Sequence, residues 1–258
     1  MQIRIDVDMH YRFAKPDTLL LAFEAAKSPG QRVLEAHLDL GDAELHRFDG
    51  DSGIGERIWA RIPGKDMTLS YKALVAIDRP PLDPSALEQV PLHRIPGDVA
   101  PYLRPSRYCQ SDKFTAFVAK RFGDRSGGAK VAAIREWIEA ELTYVPGASD
   151  ADTNVLETFA GREGVCRDYA HLMCSMVRAA GIPARMAAVY SPGVTPSDFH
   201  AVAEVWLSDG WHLVDATGMA SADDTALIAV GRDAYDIAFM DSVGPAELVS
   251  LSVKVKAA

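Results

Sequence analysis

From the start of the chain, Ile3, Ile5, Val7, Met9, Tyr11 and Phe13 fall on alternate positions, the period-2 pattern of a strand with one buried face. Leu69, Tyr71, Ala73, Val75 and Ile77 form a second alternating set. The runs ERIWARIP and MTLSYKALVAI flank Pro63, Gly64, Lys65 and Asp66. Because Pro and Gly supply turn dihedrals, these two runs predict a β-hairpin, and the first 78 or so residues predict a β-rich module. From Arg79 to Pro105 the prolines Pro80, Pro81, Pro84, Pro91, Pro96, Pro101 and Pro105 each fix φ and remove a backbone donor, so this stretch is expected to link or wrap rather than form helix or central strand.

Beyond it the period becomes helical. Phe114, Val118 and Phe122, then Val131, Ile134, Trp137 and Ile138, lie three and four apart and predict helices over 111–122 and 129–141. A third helix is expected over 164–180, with Cys166, Ala170, Met173 and Val177 on one stripe, Gly181 as a left-handed cap and Pro183 as a stop. Strands follow at 185–190, 199–207 and 211–217, with Ser208, Asp209 and Gly210 as a turn. The expected fold class is α+β: an N-terminal β-rich domain with a Pro-rich linker over residues 1–105, then a domain of mixed structure over 106–258.

Composition narrows the function classes. The chain has 258 residues, 48% hydrophobic and 24% charged, enough for one large core or two ordinary ones. Its net charge of -9 is spread along the sequence and speaks against a sequence-independent nucleic-acid role. Residues 1–13 lack the unbroken apolar run of a secretory signal, and no stretch reaches the ~18 apolar residues of a membrane span. The expectation is a cytoplasmic protein without membrane or nucleic-acid partners.

The 3 cysteines, Cys109, Cys166 and Cys174, form no CxxC pair and argue against a disulfide framework. Cys166 stands in GREGVCRDYAHL, after two glycines and at the start of a helix, where the positive end of the helix stabilises a thiolate. Free cysteines are commonly small buried hydrophobes, so a reactive role needs partners. Cys174 is expected in the core, and Cys109 carries no chemical signal.

A cysteine nucleophile needs a base that is itself oriented by a third group. Of 7 histidines, His10, His37, His46 and His93 lie in the strand-rich or Pro-rich part. His171 lies about 140° around the helix from Cys166, pointing elsewhere. His200 opens a strand after a Pro- and Gly-containing loop and is preferred over His212, which lies between Trp211 and Leu213. The single asparagine, Asn154, precedes the cysteine, so the orienting group should be a carboxylate: Asp215 in GWHLVDAT. A tight Asp209-Gly210 turn would place Glu204 opposite Asp215 and leave His200 ~13 Å away, so the turn must begin earlier or a bulge must shift the register. Glu204 is the reserve acid. Cys166, Cys174, His200 and His212 lack zinc-ligand spacing, and neither metal nor cofactor is called for.

The motifs GVCRDYAHL, FHAVAEVWL and GWHLVDAT, in that order, resemble the transglutaminase-like superfamily, in its bacterial branch of cysteine peptidases with an N-terminal β region. PYLRPSRYCQSDKF, GIPAR and IAVGRDAYDIAF extend the resemblance. It implies a papain-like core with a nucleophile helix packed on an antiparallel sheet, Cys166 as nucleophile, His200 as base and Asp215 as orienting acid. Many relatives carry Trp two residues after the histidine, where this chain has Val202. The expected function is acyl transfer through a thioester, hydrolysing peptide or amide bonds of a peptide or protein substrate. The alternatives are a protein-glutamine transglutaminase and a catalytically silent binding protein. The backbone N–H of Cys166 would be one oxyanion donor, while Tyr144, a candidate for the second, has a structural role as its default reading.

Overall fold

The computed structural model describes residues 1–80 and 83–258; Pro81, one of the seven prolines above, lies outside the described residues. Six strands open the chain: β1 Gln2–Phe13, β2 Asp17–Leu21, β3 Gln31–Asp39, β4 Glu44–Asp49, β5 Glu56–Ile62 and β6 Asp66–Ile77. After the Pro-rich stretch come α1 Thr115–Phe122, α2 Gly127–Glu141, β7 Thr143–Tyr144, α3 Val155–Gly161, β8 Glu163–Gly164 and α4 Cys166–Ala179. The chain continues with β9 Ala184–Tyr190, β10 His200–Leu207, β11 Gly210–Val214, β12 Ala226–Gly231, α5 Ala234–Ile237, β13 Met240–Ser242 and β14 Ala246–Ala257.

Two antiparallel sheets, ordered β14-β1-β6-β3 and β13-β2-β5-β4, form the strand-rich module. Their alternating apolar residues (Ile3, Ile5 and Val7; Ile58, Ala60 and Ile62; Leu69 and Tyr71) enter one core cluster. The predicted β5/β6 hairpin does not form: β5 pairs with β2 and β4, whereas β6 pairs with β1 and β3. The Pro63-Gly64 corner carries the chain from one sheet to the other. Period-2 alternation fixes which face a strand buries but not its partner, and each strand buries more by facing the other across a core than by lying beside it. The module expected over residues 1–105 also takes in β14, which pairs along β1 from Ile3↔Ala257 to Phe13↔Ala246.

The Pro-rich segment wraps as expected, in short 3-10 turns. Leu87 O accepts from Gly128 N at the start of α2, Glu88 O accepts from Ser208 N, and the Gln89 amide donates to Gly181 O. Arg178, nine-tenths buried and more near the end of α4, donates to Ala184 O (2.8 Å), Arg104 O (3.2 Å) and Arg232 O, fastening three segments to one helix. A buried guanidinium is tolerable only when its donors are satisfied in this way.

The third four-stranded sheet runs β11-β10-β9-β12, all antiparallel, and α4 packs on its strands β10 and β9, with Leu172, Met173, Met176 and Val177 of the helix fully buried. The α4 stop is as predicted: Gly181 takes φ +74, and Ile182 N donates to Val177 O. The two modules are stitched by Gln31, buried in their junction, whose amide donates to Leu227 O and accepts from Leu227 N like one rung of a ladder. Among the described residues no helix is long and apolar enough to cross a membrane.

Candidate active site

Cys166 is the first residue of α4, so its thiol sits at the positive end of a 14-residue helix. Three contacts fix this turn. Asp168, fully buried, accepts from Val165 N (2.9 Å) and from Ser149 Oγ (2.5 Å), and the Arg167 guanidinium lies 3.3 Å from its other oxygen. Asp168 N and Tyr169 N bond to Val165 O. Gly164 is required by close approach: a Cβ there would lie 2.7 Å from Asp168 Cβ. The carboxylate of GVCRD is therefore an N-terminal cap, a role that sequence analysis did not assign although its position three residues into the turn is a signal for one.

His200 is the first residue of β10, paired with Val189 of β9. The turn after β10 is Ser208-Asp209, both with positive φ, and Leu207 pairs with Gly210, so the turn does begin one residue earlier than Asp209-Gly210. The last pair is Ala203↔Val214. One further step sets Asp215 beside Val202, on the face that period 2 gives to His200 as well. His200 Nε2 lies 3.0 Å from Asp215 Oδ2, with the two side chains 1% and 4% exposed. Asp215 also accepts from Thr217 N and Oγ1, Met219 N and Ala220 N, while its carbonyl accepts from Arg135 Nε. Thr217 and Arg135 were not legible as site residues, because they act only through the fold around Asp215.

Electrostatics follow from this geometry. Burial pulls the His200 pKa down, but the Asp215 hydrogen bond, the Cys166 side chain and the charges of both outweigh it and raise it to about 9. Burial pushes the Asp215 carboxyl up, and the hydrogen bond and charge of His200, with the Thr217 donors, hold it below its ordinary value. The second ring nitrogen of His200, Nδ1, is buried with no hydrogen bond among the described residues.

Cys166 and His200 line one cleft of about 630 Å³. Met186, Ala188, Phe199, Ile237 and Phe239 form its apolar wall, with Phe199 and Phe239 stacked at 4.5 Å and 7°. At the rim, Arg107 sits over the rings of Tyr108 and Tyr235.

The other candidates are placed elsewhere. Glu204 pairs with Arg185 at 2.7 Å in the sheet, both nearly fully buried, and is not available to His200. His212 meets Leu207 O, and Cys174 is fully buried with a thiol pushed upward by burial. His171 is buried, accepts from Ala234 N and stacks on Tyr108. Among the described residues no group of three or more His, Cys, Asp or Glu is placed to hold a metal ion.

A thiol at a helix start, an imidazole at the start of a strand of the sheet on which that helix packs, and a carboxylate just past the end of the next strand define the class: an α+β, papain-like core. The model of the transglutaminase-like superfamily matches residues 116–216. A presumed cysteine protease of Cytophaga hutchinsonii, known from its crystal structure, shares 32% identity over 99% of this chain and 90% of that one, with a TM-score of 0.90. The chain belongs to the transglutaminase-like superfamily. Among curated proteins, an uncharacterised protein of Mycobacterium leprae is 28% identical over 145 residues, 53% of this chain and 52% of its own. A protein-glutamine gamma-glutamyltransferase of Pseudomonas aeruginosa is 38% identical over 103 residues, 34% of this chain and 15% of its own. The chain thus matches about half the length of the first of these curated relatives and much less of the second.

Proposed function

We propose that this protein is a cysteine-nucleophile acyl-transfer enzyme that hydrolyses peptide or amide bonds, with Cys166 as nucleophile, His200 as base and acid, and Asp215 as the group that orients His200. The observation that carries this reading is the 3.0 Å bond between Nε2 and the Asp215 carboxylate. A carboxylate only accepts, so Nε2 carries the hydrogen, and in the neutral ring Nδ1 is the basic nitrogen. Among the described residues that nitrogen has no hydrogen bond, and after Asp215 the Cys166 side chain is the group that most favours a proton on the ring.

In the reaction, Nδ1 takes the thiol proton and Sγ bonds to the substrate carbonyl carbon, whose π electrons move onto oxygen. The backbone N–H of Cys166 donates to that oxyanion. The C–N bond then breaks, and the leaving amine takes the proton from Nδ1. Water attacks the thioester with Nδ1 as base, releasing the carboxylic acid and the thiol. The part-exposure of Cys166 on the cleft supports water as the acceptor.

The stretch shared with the Pseudomonas enzyme supports a second reading, in which an amine replaces water as acceptor. The two are separated by titrating a primary amine into the reaction with a glutamine-containing peptide. Hydrolysis predicts free acid as the main product at millimolar amine. Amide product dominating there would favour transamidation, and no acylation of Cys166 would remove both readings.

A further inference from the structure

We propose that the cleft selects acyl groups carrying a bulky apolar side chain, as in a phenylalanyl or leucyl residue, through the wall built on Phe199 and Phe239. This rests on the acyl-transfer reading above and names the substrate class that it leaves open.

Whatever group leaves, the acyl group stays bonded to Sγ, so it lies in the space that Cys166 lines, the cleft of about 630 Å³. Two features make that space both roomy and apolar. Ala188 of β9 and Ala201 of β10 stand opposite each other in the sheet and both line the cleft, with methyl groups where longer side chains would fill it. Beside them Met186 and Ile237, both buried, join the stacked rings of Phe199 and Phe239 in one apolar wall. A substrate ring packs on such a pair edge-on or offset, a contact that a single methyl group cannot make. The rim charges are met from within the chain, Arg107 by Asp152 at 3.4 Å and Arg167 by Asp168 at 3.3 Å. Discrimination between acyl groups is then left to the burial of their apolar surface.

The strand-rich module holds this wall from behind. Phe239 O accepts from Ala22 N at 3.0 Å, and the next residue, Met240, opens β13, which pairs with β2. Phe199 leans on Tyr190 with centroids 5.6 Å apart, and the buried Tyr190 hydroxyl donates to Phe23 O at 2.6 Å. Both rings are thus placed by contacts with residues 22 and 23 or their neighbours, not by the substrate. A wall set in advance loses little side-chain freedom when an acyl group packs on it, so more of the apolar contact appears as selectivity.

The test compares two esters with one leaving group. 4-Nitrophenyl 3-phenylpropionate carries the phenylalanyl acyl group without its amine, and 4-nitrophenyl acetate carries only a methyl. Dividing each kcat/KM by the rate of the same ester with free cysteine removes intrinsic reactivity. The corrected ratio should favour phenylpropionate at least about tenfold in the wild type, since even one methylene in an apolar pocket is worth ~10-fold or more. Phe239→Ala removes one ring of the wall and should lower that ratio severalfold. Should this variant lower the unfolding temperature, Ala188→Leu, which keeps the wall and fills the space before it, gives a second reading of the same ratio. A wild-type ratio near one overturns the proposal, and so does a folded variant that keeps the wild-type ratio. Failure of the wild type to form an acyl-enzyme at Cys166 with either ester would instead remove the acyl-transfer reading, and this proposal with it.

Discussion

His200 and Asp215 meet through Nε2 and Oδ2 at 3.0 Å, on the first residue of one strand and just past the end of its neighbour, with both side chains almost wholly buried. The carboxylate is fixed by Thr217, Met219 and Ala220 before it meets the ring, so it sets the ring's tautomer rather than adapting to it. Asp215→Asn keeps the shape but can turn an N–H towards Nε2, which disfavours the tautomer with a basic Nδ1. The rate should fall by up to ~10⁴, the scale seen when a triad's orienting acid is neutralised. Steady-state kinetics of the variant check this.

The same pair sets an alkaline limit. In the proposed reaction His200 gives its proton to the leaving amine, and its pKa is raised to about 9, so kcat/KM should decline above about pH 9. Removing the Asp215 charge lowers that pKa, and the declining limb should move to lower pH in Asp215→Asn. A limb that stays in place would detach the titration from this histidine.

Stability carries signatures of two histidines with opposite signs. The folded-state pKa of His200 is raised, so its contribution is fully present below its unfolded value of about 6.5 and is lost as pH rises through about 9. Burial, then the Arg167 charge, lowers that of His171 to about 3, so the unfolded chain binds the extra proton between about pH 6.5 and 3, and stability falls as pH drops through that window. Urea unfolding across pH should show a shallower acid limb in His171→Gln and a shallower alkaline limb in His200→Gln.

Glu204 is a structural ion-pair partner. Breaking its buried bond to Arg185 leaves a charge uncompensated beside Trp211, 4.1 Å from the guanidinium, and should cost about 3–5 kcal/mol in Glu204→Ala. Thermal and urea denaturation measure this.

The start of α4 depends on a close approach. Gly164→Ala places a methyl 2.7 Å from Asp168 Cβ and should both destabilise the fold and displace Cys166. Asp168→Ala removes the cap on Val165 and the Ser149 bond, at a cost of about 1–2 kcal/mol. Denaturation midpoints and Cys166 alkylation, read on the same samples, check both.

Where local pattern decides, the fold was legible in sequence. β1 alternates in the structure as in the sequence, and Gly181 and Pro183 end α4 where they should. The partners of β5 and β6 were not legible, because pairing is set by which faces share a core rather than by the nearest turn. α3 was not legible, although Asn154 and Glu157 form a capping box, because its 7 residues are too short for periodicity to speak. The offset between His200 and Asp215 turned on one residue of turn placement, which the positive φ of Ser208 and Asp209 resolves. Cys166, His200 and Asp215 stand in local motifs and so could be singled out as candidates from sequence, whereas the contacts of Asp168, Arg135 and Thr217 around them exist only in the folded chain.

The central claim is that His200 activates Cys166. Its most direct test is iodoacetamide labelling at pH 7, mapped by peptide mass spectrometry, in the wild type and in His200→Ala. Cys109 and Cys174 are fully buried, and burial raises both thiols, that of Cys109 to about 11, so neither should label in the folded protein. The account predicts rapid labelling at Cys166 alone, slowed at least about tenfold by His200→Ala, since only the thiolate is the nucleophile. Slow labelling at Cys166 that is indifferent to His200 would contradict it.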